Sequence, residues 1–426
     1  MREMFSSLAI PNYRKYFFGS LSGNIGQWIS GTAKSWLVVT QLTNGSAATL
    51  GWLAAVMFLP NLLLSPLGGT LADRFPKRRI ALATQTMLCV SAATLAALVL
   101  TGHVQLWMVF VLALFDGIVG AFDGPARQAF VSEMVPLRNL PNAIGLNSTS
   151  WNAARLIGPG VAGILIAAFG TGQAFAINAF SFLILIGMLI WMDPKAMSLP
   201  VRNPAAKKEK SSILDGLRYV STQPKIAMLL VVAFMLGTFG FNYSITNTLM
   251  TTQVFDKSAG LYGMLGSVMG VGSLTGALMA AKRKKPRVRF FLVFLGVFGL
   301  ALCLSAIAPN FWVFTALMVP IGFAGVSCMV SANSMIQVML PPEVRGRVMA
   351  LWVLCSMGLT PVVSPLLGWI GDAFGARATV WVGAIAIVMT FLGMVWWLFG
   401  KRHIRLYRDE ENHFWVRYPG MAELVR

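Results

Sequence analysis

The sequence predicts an all-α membrane protein of twelve transmembrane helices, arranged as two six-helix, pseudo-repeated halves. Three observations carry that prediction. Apolar runs of roughly 20 residues recur from end to end, each long enough to cross a hydrocarbon core of ~30 Å as a helix. Of 426 residues, 56% are hydrophobic and only 12% charged, where a soluble domain carries about 25% charged residues. The apolar pattern is interrupted at length only once, near the middle of the chain.

The twelve runs fall at 16–41, 47–71, 80–101, 104–127, 142–168, 174–192, 226–250, 259–281, 290–308, 311–338, 347–371 and 378–399. The first is too long, and lacks a small-residue cleavage site, for a cleavable signal. Asp193 to Lys225, rich in proline and charge, reads as a linker. Within it Ile213, Leu217 and Val220 share a helical face, which predicts a short amphipathic surface helix. The expected organisation is a six-helix bundle over 1–192, a cytoplasmic linker over 193–225, a second bundle over 226–400 and a cytoplasmic tail over 401–426. The halves echo one another at an offset of 205: Pro136 meets Pro341, Leu146 meets Leu351, Gly163 meets Gly368, Gly170 meets Gly375 and Ala179 meets Ala384. Duplication about a central linker is a construction of secondary transporters, which bind substrate between the repeats near the bilayer midplane.

The formal charge of +19 is placed by topology. One side of the bilayer receives Arg14, Lys15, RFPKRR (74–79), Arg138, the 193–225 segment, KRKKPRVR (282–289), Arg345, Arg347 and the tail from Lys401. The other receives Lys257 and Arg377 and little else. This positive-inside pattern puts both termini in the cytoplasm of an inner (plasma) membrane, with the basic loops meeting anionic lipids. The same dispersal over short loops argues against nucleic acid. Four cysteines (Cys89, Cys303, Cys328, Cys355) lie in four different spans, and the three histidines are scattered. The sequence therefore offers no metal site, disulfide, cofactor motif or catalytic constellation, and an enzyme is not expected.

GGTLADRFPKRR, between spans 2 and 3, resembles the loop signature of the major facilitator superfamily. Gly69, Leu71, Ala72, Asp73, Arg74 and Arg78 carry the match, with Pro76 where the signature has glycine. The counterpart in the second half, GALMAAKRKK (276–285), keeps glycine and the basic run but has no acid. ARLIGPGVAG (154–163) is similar to the fifth-span signature of the superfamily's antiporters, through Gly158, Pro159 and Gly163. NYRKYFFGS, FDGPARQAFVSEMVP and NAIGLNSTSWNAARLIGP resemble the drug:proton antiporter branch that includes enterobactin and macrolide exporters. The resemblance covers the chain to about residue 400. It implies alternating access, a latch between the halves at Asp73 facing the start of span 11 (Arg345 to Ala350), and spans 4 and 5 as neighbours.

Deep charges supply the site expectations, because an ionisable residue inside a membrane is expensive and rarely idle. In span 4, Asp116, Gly120, Asp123 and Arg127 share one helical face. Asp123 and Arg127, an i,i+4 pair at the cytoplasmic end, are expected to join Asp73 and Arg74 in a gating cluster. Asp116 lies near the midplane. Arg155 lies at similar depth in span 5, just before a Gly-Pro-Gly run expected to break the helix. An Asp116–Arg155 pair is therefore expected, with the carboxyl carrying protons and the arginine as switchable counter-ion. Lys34 in span 1 is a third deep charge, fit either for structural pairing or for substrate contact. Candidate cavity residues are Gln27, Lys34, Asn147, Trp151 and Asn152 in the first half, and Asn242, Tyr243, Asn247, Asn333, Gln337 and Trp352 in the second. The second half's wall looks polar-neutral, aromatic and Met-rich, which suits amphiphilic ligands. The expected function is proton-coupled export of small amphiphilic molecules such as drugs, macrolides or siderophores, by a bacterial monomer. Import or lipid translocation on the same fold, and a non-cycling receptor, are the alternatives.

Overall fold

A computed structural model describes residues 3–197, 213–281, 287–357, 359–400, 405–408 and 414–417. The middle of the expected linker (198–212), the 282–286 part of the basic run and most of the tail lie outside the described residues. The chain forms α1 (Pro11–Leu37), α2 (Ala47–Arg74), α3 (Lys77–Leu100), α4 (Leu106–Met134), α5 (Leu140–Phe169) and α6 (Thr171–Ile190), then the short α7 (Ile213–Thr222). There follow α8 (Pro224–Met235), α9 (Tyr243–Leu249), α10 (Ala259–Ala281), α11 (Val288–Ala306), α12 (Phe311–Met339), α13 (Pro342–Met357), α14 (Thr360–Phe374) and α15 (Ala376–Gly400). Two strands, β1 (Arg405–Arg408) and β2 (Phe414–Arg417), pair antiparallel in the tail.

Among the described residues, eleven helical segments are long and apolar enough to cross a membrane. Two of them are composite. One runs through α8 and α9 with π-helical turns at Leu236–Gly240 and Met250–Val254, and the other runs through α13 and α14. The expected span outside this set is α1. It has the length, but its buried face carries Asn12, Ser20, Asn24, Ser30, Thr32, Lys34 and Ser35. Its polarity is turned into the protein, where hydrogen bonds can satisfy it, rather than toward lipid.

The repeat positions adopt matching geometry. Gly170 joins α5 to α6 at φ 93°, ψ 174°, and Gly375 joins α14 to α15 at φ 85°, ψ 164°. Only glycine takes that conformation without strain, so each turn reverses the chain without an intervening loop. Gly163 and Gly368 also correspond, each at a point where helices from opposite halves of the sequence touch. A Cβ on Gly163 would lie 2.8 Å from the Ala259 carbonyl oxygen at the start of α10, and one on Gly368 would strike the Ala47 carbonyl at the start of α2. Small residues bring helix backbones into direct contact inside a membrane, where no water-driven force pulls them together.

Two packed groups result. In the first, α1 packs on α5 and α6, α2 on α4, and α3 on α4 and α6; in the second, α11 packs on α12 and α15, and α10 on α12. They meet along α2/α14 and α5/α10. The amphipathic α7 docks on α13, with Gly216 against the Arg347 backbone, Val220 buried and Leu217 exposed.

The described contacts across this seam concentrate at the end bearing the 43–46 turn. Asp372 at the end of α14 accepts the backbone N–H groups of Ala47 (2.7 Å) and Ala48 (2.9 Å), and the Ser46 hydroxyl (3.3 Å). A carboxylate there serves the first orphan donors of α2 and the positive end of its dipole. Gln253 donates to the Gly45 carbonyl (2.6 Å), and Trp36 stacks on Tyr262 at 5.7 Å. Asp372→Ala should weaken this closed end by about 0.5–1 kcal/mol, the low end of helix-cap losses. A cysteine introduced at the buried Leu50 should then label faster with a thiol reagent, and unchanged labelling would show the cap to be idle.

Candidate functional site

Where the two groups meet, a cavity of about 180 Å³ is lined by α1, α2, α5, α9 and α10. Its walls include Leu50, Leu53, Met57, Phe58 and Met269, with Thr32, Ser35, Tyr243, Asn247 and Tyr262 as the polar edge. Trp28 and Pro159 complete it. An apolar chamber with a few convergent polar groups at a seam between helix bundles is the ordinary form of a small-molecule site. Tyr243 and Asn247 were legible as cavity residues from the sequence; the larger share from α1 and α2 was not.

Beside this chamber lies a buried ion pair that differs from the expected one. Asp116 pairs with Lys34 (Nζ to Oδ2, 2.5 Å), not with Arg155. The side chains are 21% and 6% exposed, and Asp116 Oδ1 is buried without a hydrogen-bond partner. The geometry of α5 explains the difference. α1 packs against α5, whereas the face of α4 that bears Asp116 looks onto α1, so lysine reaches the carboxylate first.

Eleven residues along α4, about 16 Å at 1.5 Å per residue, Arg127 forms a second polar rung to α1. Its guanidinium donates to Tyr16 Oη (3.3 Å), Ser20 Oγ (2.5 Å), Asn24 Oδ1 (3.1 Å) and Asp123 Oδ2 (3.4 Å). Asp123 also accepts from Thr84 (2.7 Å) and Gln85 (2.8 Å) of α3. The partners of this pair thus come from α1 and α3, not from the expected cluster with Asp73 and Arg74. Arg78 donates to the Leu189 (2.9 Å) and Ile190 (3.0 Å) carbonyls and caps the end of α6. Lys77 pairs with Glu133 at 2.6 Å. Asp73 and Arg74 are exposed at the end of α2. The packing glycine of the loop signature is Gly68, whose Cβ would strike the Ala121 carbonyl, while Gly69 faces open space.

The Gly-Pro-Gly run does not break α5, which is continuous from Leu140 to Phe169. Pro159 lacks an N–H, so the carbonyl of Arg155 loses its i+4 donor inside the helix. The run instead serves packing: Gly158 lies against Trp28, and Pro159 against Gly263 and Gly266 of α10. Arg155 stands with its guanidinium carbon 6.0 Å from the Trp28 ring centroid, and Trp28 meets Trp151 edge-on at 5.8 Å. The charge lies within electrostatic reach of Tyr243 across the seam. A cation over an aromatic face contributes ~0.5–2 kcal/mol, whereas taking an ion out of water costs several kcal/mol. Arg155 is half-buried, so solvent relieves part of that cost and the aromatic contact offsets part of the remainder.

Other expected cavity residues divide. Asn152 and Gln27 are exposed and Asn147 half-buried. Asn242 is buried where α8 gives way to α9 and donates to the Thr238 carbonyl at 2.8 Å. Asn333 and Gln337 bond each other along α12 at 2.5 Å. Trp352 is packed into the hydrophobic core and lines no part of the cavity. Among the described residues no cluster of His, Cys, Asp or Glu could hold a metal ion. The sequence reading missed Asp372, which stands just past a span end and looks like an ordinary loop acid until its helix-start partners are seen.

Comparison with known proteins agrees with this architecture. A family model described as "Transmembrane secretion effector" matches residues 3–405. The chain is 24% identical over 410 residues to the staphyloferrin A transporter of Staphylococcus aureus, covering 94% of this chain and 99% of that one. It is 26% identical over 387 residues to the multidrug efflux pump Tap of Mycolicibacterium fortuitum, covering 89% and 93%. Among solved structures, the D-xylose–proton symporter superposes with a TM-score of 0.65 at 17% identity, covering 92% of this chain and 97% of that chain. The nucleoside transporter NupG gives 0.67 at 12% identity, covering 90% and 98%. With its helices, its seam and its full-length family match in agreement, the chain belongs to the transmembrane secretion effector family of the major facilitator superfamily, and it is a multi-pass membrane transporter of small molecules.

Proposed function

We propose that the protein exports small amphiphilic molecules in exchange for protons, by alternating access around the central cavity. The carrying observation is the juxtaposition of that cavity with the Lys34–Asp116 pair: Ser35 and Gly31 of α1 line the chamber, and Lys34 between them holds the carboxylate of α4. Protonating Asp116 removes the attraction that ties α1 to α4, so occupancy by a proton and the position of α1 become linked. The efflux-pump name of the Tap relatives supports export.

In this reading both termini are cytoplasmic, by the one-sided Lys/Arg distribution. The end closed by Asp372 then faces outward and the structure is inward-facing. Asp73 would close the opposite end in the other state, as the loop signature implies. Two units work as rocking bodies about the seam, with α7 part of their cytoplasmic connection.

Everted membrane vesicles loaded against an amphiphile panel, with and without an imposed pH gradient, test the proposal. Gradient-dependent accumulation is the expected result; accumulation in right-side-out vesicles instead would make the protein an importer. Reporter fusions after Gly102 and Gly172 should report outside and a fusion after Arg79 inside, and the inverse pattern would overturn the orientation.

A further inference from the structure

Arg155 brings a permanent charge to the edge of the cavity, over its lining residue Trp28, and among the described residues it has neither an ion-pair nor a hydrogen-bond partner. The acids that could have neutralised it are committed elsewhere: Asp116 to Lys34, Asp123 to Arg127, Glu133 to Lys77 and Asp372 to the start of α2. What surrounds the guanidinium is aromatic. Trp28 lies under it, Trp151 meets Trp28 edge-on, and Tyr243 approaches from the other half of the chain. The indole N–H of Trp28 is itself buried without an acceptor. An unused donor on a lining tryptophan, with a fixed cation stacked behind it at the edge of an apolar chamber, is complementary to an acceptor-only anion with an apolar body.

We propose that Arg155, Trp28, Trp151 and Tyr243 form an anion-recognition site, and that the substrates of this transporter are amphiphilic organic carboxylates. The inference rests on reading the cavity as the transport site and narrows its substrate class. A carboxylate fits the planar fork of the guanidinium with two parallel N–H bonds, a geometry that neutral amides and esters cannot match in strength. The aromatic walls take the apolar part of the molecule. An amphiphilic cation of the same size meets a like charge beside an apolar chamber that offers no paired acid among its described lining residues, and is rejected. Arg155 also lies within electrostatic reach of Tyr243 in the opposite half, so an anion bound between them draws the two halves together. Substrate and closure are thereby coupled by the same contact.

The test uses purified full-length protein in lipid nanodiscs and three probes sharing one ring system: 2-naphthoate, methyl 2-naphthoate and 2-naphthylmethylammonium. Titration calorimetry should show 2-naphthoate binding at least about tenfold tighter than either other probe, or about 1.4 kcal/mol. Arg155→Gln should erase that preference, Arg155→Lys should keep part of it, and Trp28→Phe should weaken all three probes while keeping their order. The Lys variant guards against misfolding of the Gln variant. Equal or tighter binding of the ammonium probe, an unchanged preference in both Arg155 variants, or no binding of 2-naphthoate would each overturn the assignment. Vesicle efflux separates this outcome from failure of the transport reading: if compounds are exported without regard to head-group charge, the site assignment fails and export stands. If 2-naphthoate binds as expected but nothing is exported, the export reading fails and the site stands.

Discussion

Asp116→Asn is expected to reduce gradient-driven efflux to the level of empty vesicles while substrate still binds. The carboxyl is the only member of its pair that carries negative charge, and one of its oxygens is buried with no partner. That free oxygen marks an anion held by a single contact, so a proton arriving there both neutralises the group and releases Lys34. Asparagine keeps the volume and a hydrogen-bonding oxygen but cannot cycle between the two states. Stability distinguishes this coupling role from a purely structural one. Removing one partner, as in Lys34→Met alone, strands a buried charge and should cost about 3–5 kcal/mol in a denaturation experiment. The double variant Lys34→Met with Asp116→Leu removes both charges together and should recover most of that loss, because a buried pair is often replaceable by apolar groups of similar size. It should nonetheless stay uncoupled. If Asp116→Asn still accumulates substrate under an imposed pH gradient, the proton travels elsewhere and the pair only fastens α1 to α4.

Gly263→Val should trap the transporter with its Asp372 end ajar. Added Cβ atoms at Gly263 would collide with the Pro159 carbonyl and come within 2.6 Å of the Gly163 Cα, both parts of the α5 backbone that cannot swing aside. Overpacking of this kind costs ~1–3 kcal/mol, and every part of it falls on the state in which α5 and α10 touch. A bias of that size shifts the two-state equilibrium by about 5–150-fold. Expression should be near normal, transport should fall in proportion, and a cysteine at Leu50 should become reactive from the side of the 43–46 turn. Gly368→Val makes the matching test at the α2/α14 crossing. Wild-type transport by either variant would show that the seam does not need close backbone contact to function.

The fold was largely legible in the sequence because bilayer-length apolar runs leave few alternatives, and because Gly170 and Gly375 recur at one offset and adopt one conformation. The exception is instructive. α1 was found by its length, but the reason for its polar face became clear only when Arg127 and Asp116 were seen to reach it from α4. The sequence also singled out Lys34, Asp116 and Arg155 as charges inside spans, and the structure joins two of them. Their pairing was not legible, because depth gives one coordinate and partnership needs the rotation of each helix about its axis. A carboxylate equidistant in depth from lysine and arginine goes to whichever helix turns its charge inward. In the same way Gly69 matched a signature while its neighbour Gly68 makes the contact, a difference of one residue and about 100° of helix rotation.

The two seams that close the end bearing the 43–46 turn are built of different materials, although the halves repeat. The position one repeat before Asp372 is Ala167, a methyl group near Gly260 at the start of α10. One seam therefore ends in a charged clasp and the other in hydrocarbon and bare backbone. Water can take over the bonds of a clasp one at a time as it enters, so parting the α2/α14 side is a graded process. The α5/α10 side offers entering water little at this end: its described side-chain hydrogen bond, from Ser267 Oγ to the Leu156 carbonyl (2.9 Å), lies further along α5, so its glycine-packed backbones part together. A mouth made this way unbuttons from one edge, with the glycine-lined edge serving as its hinge.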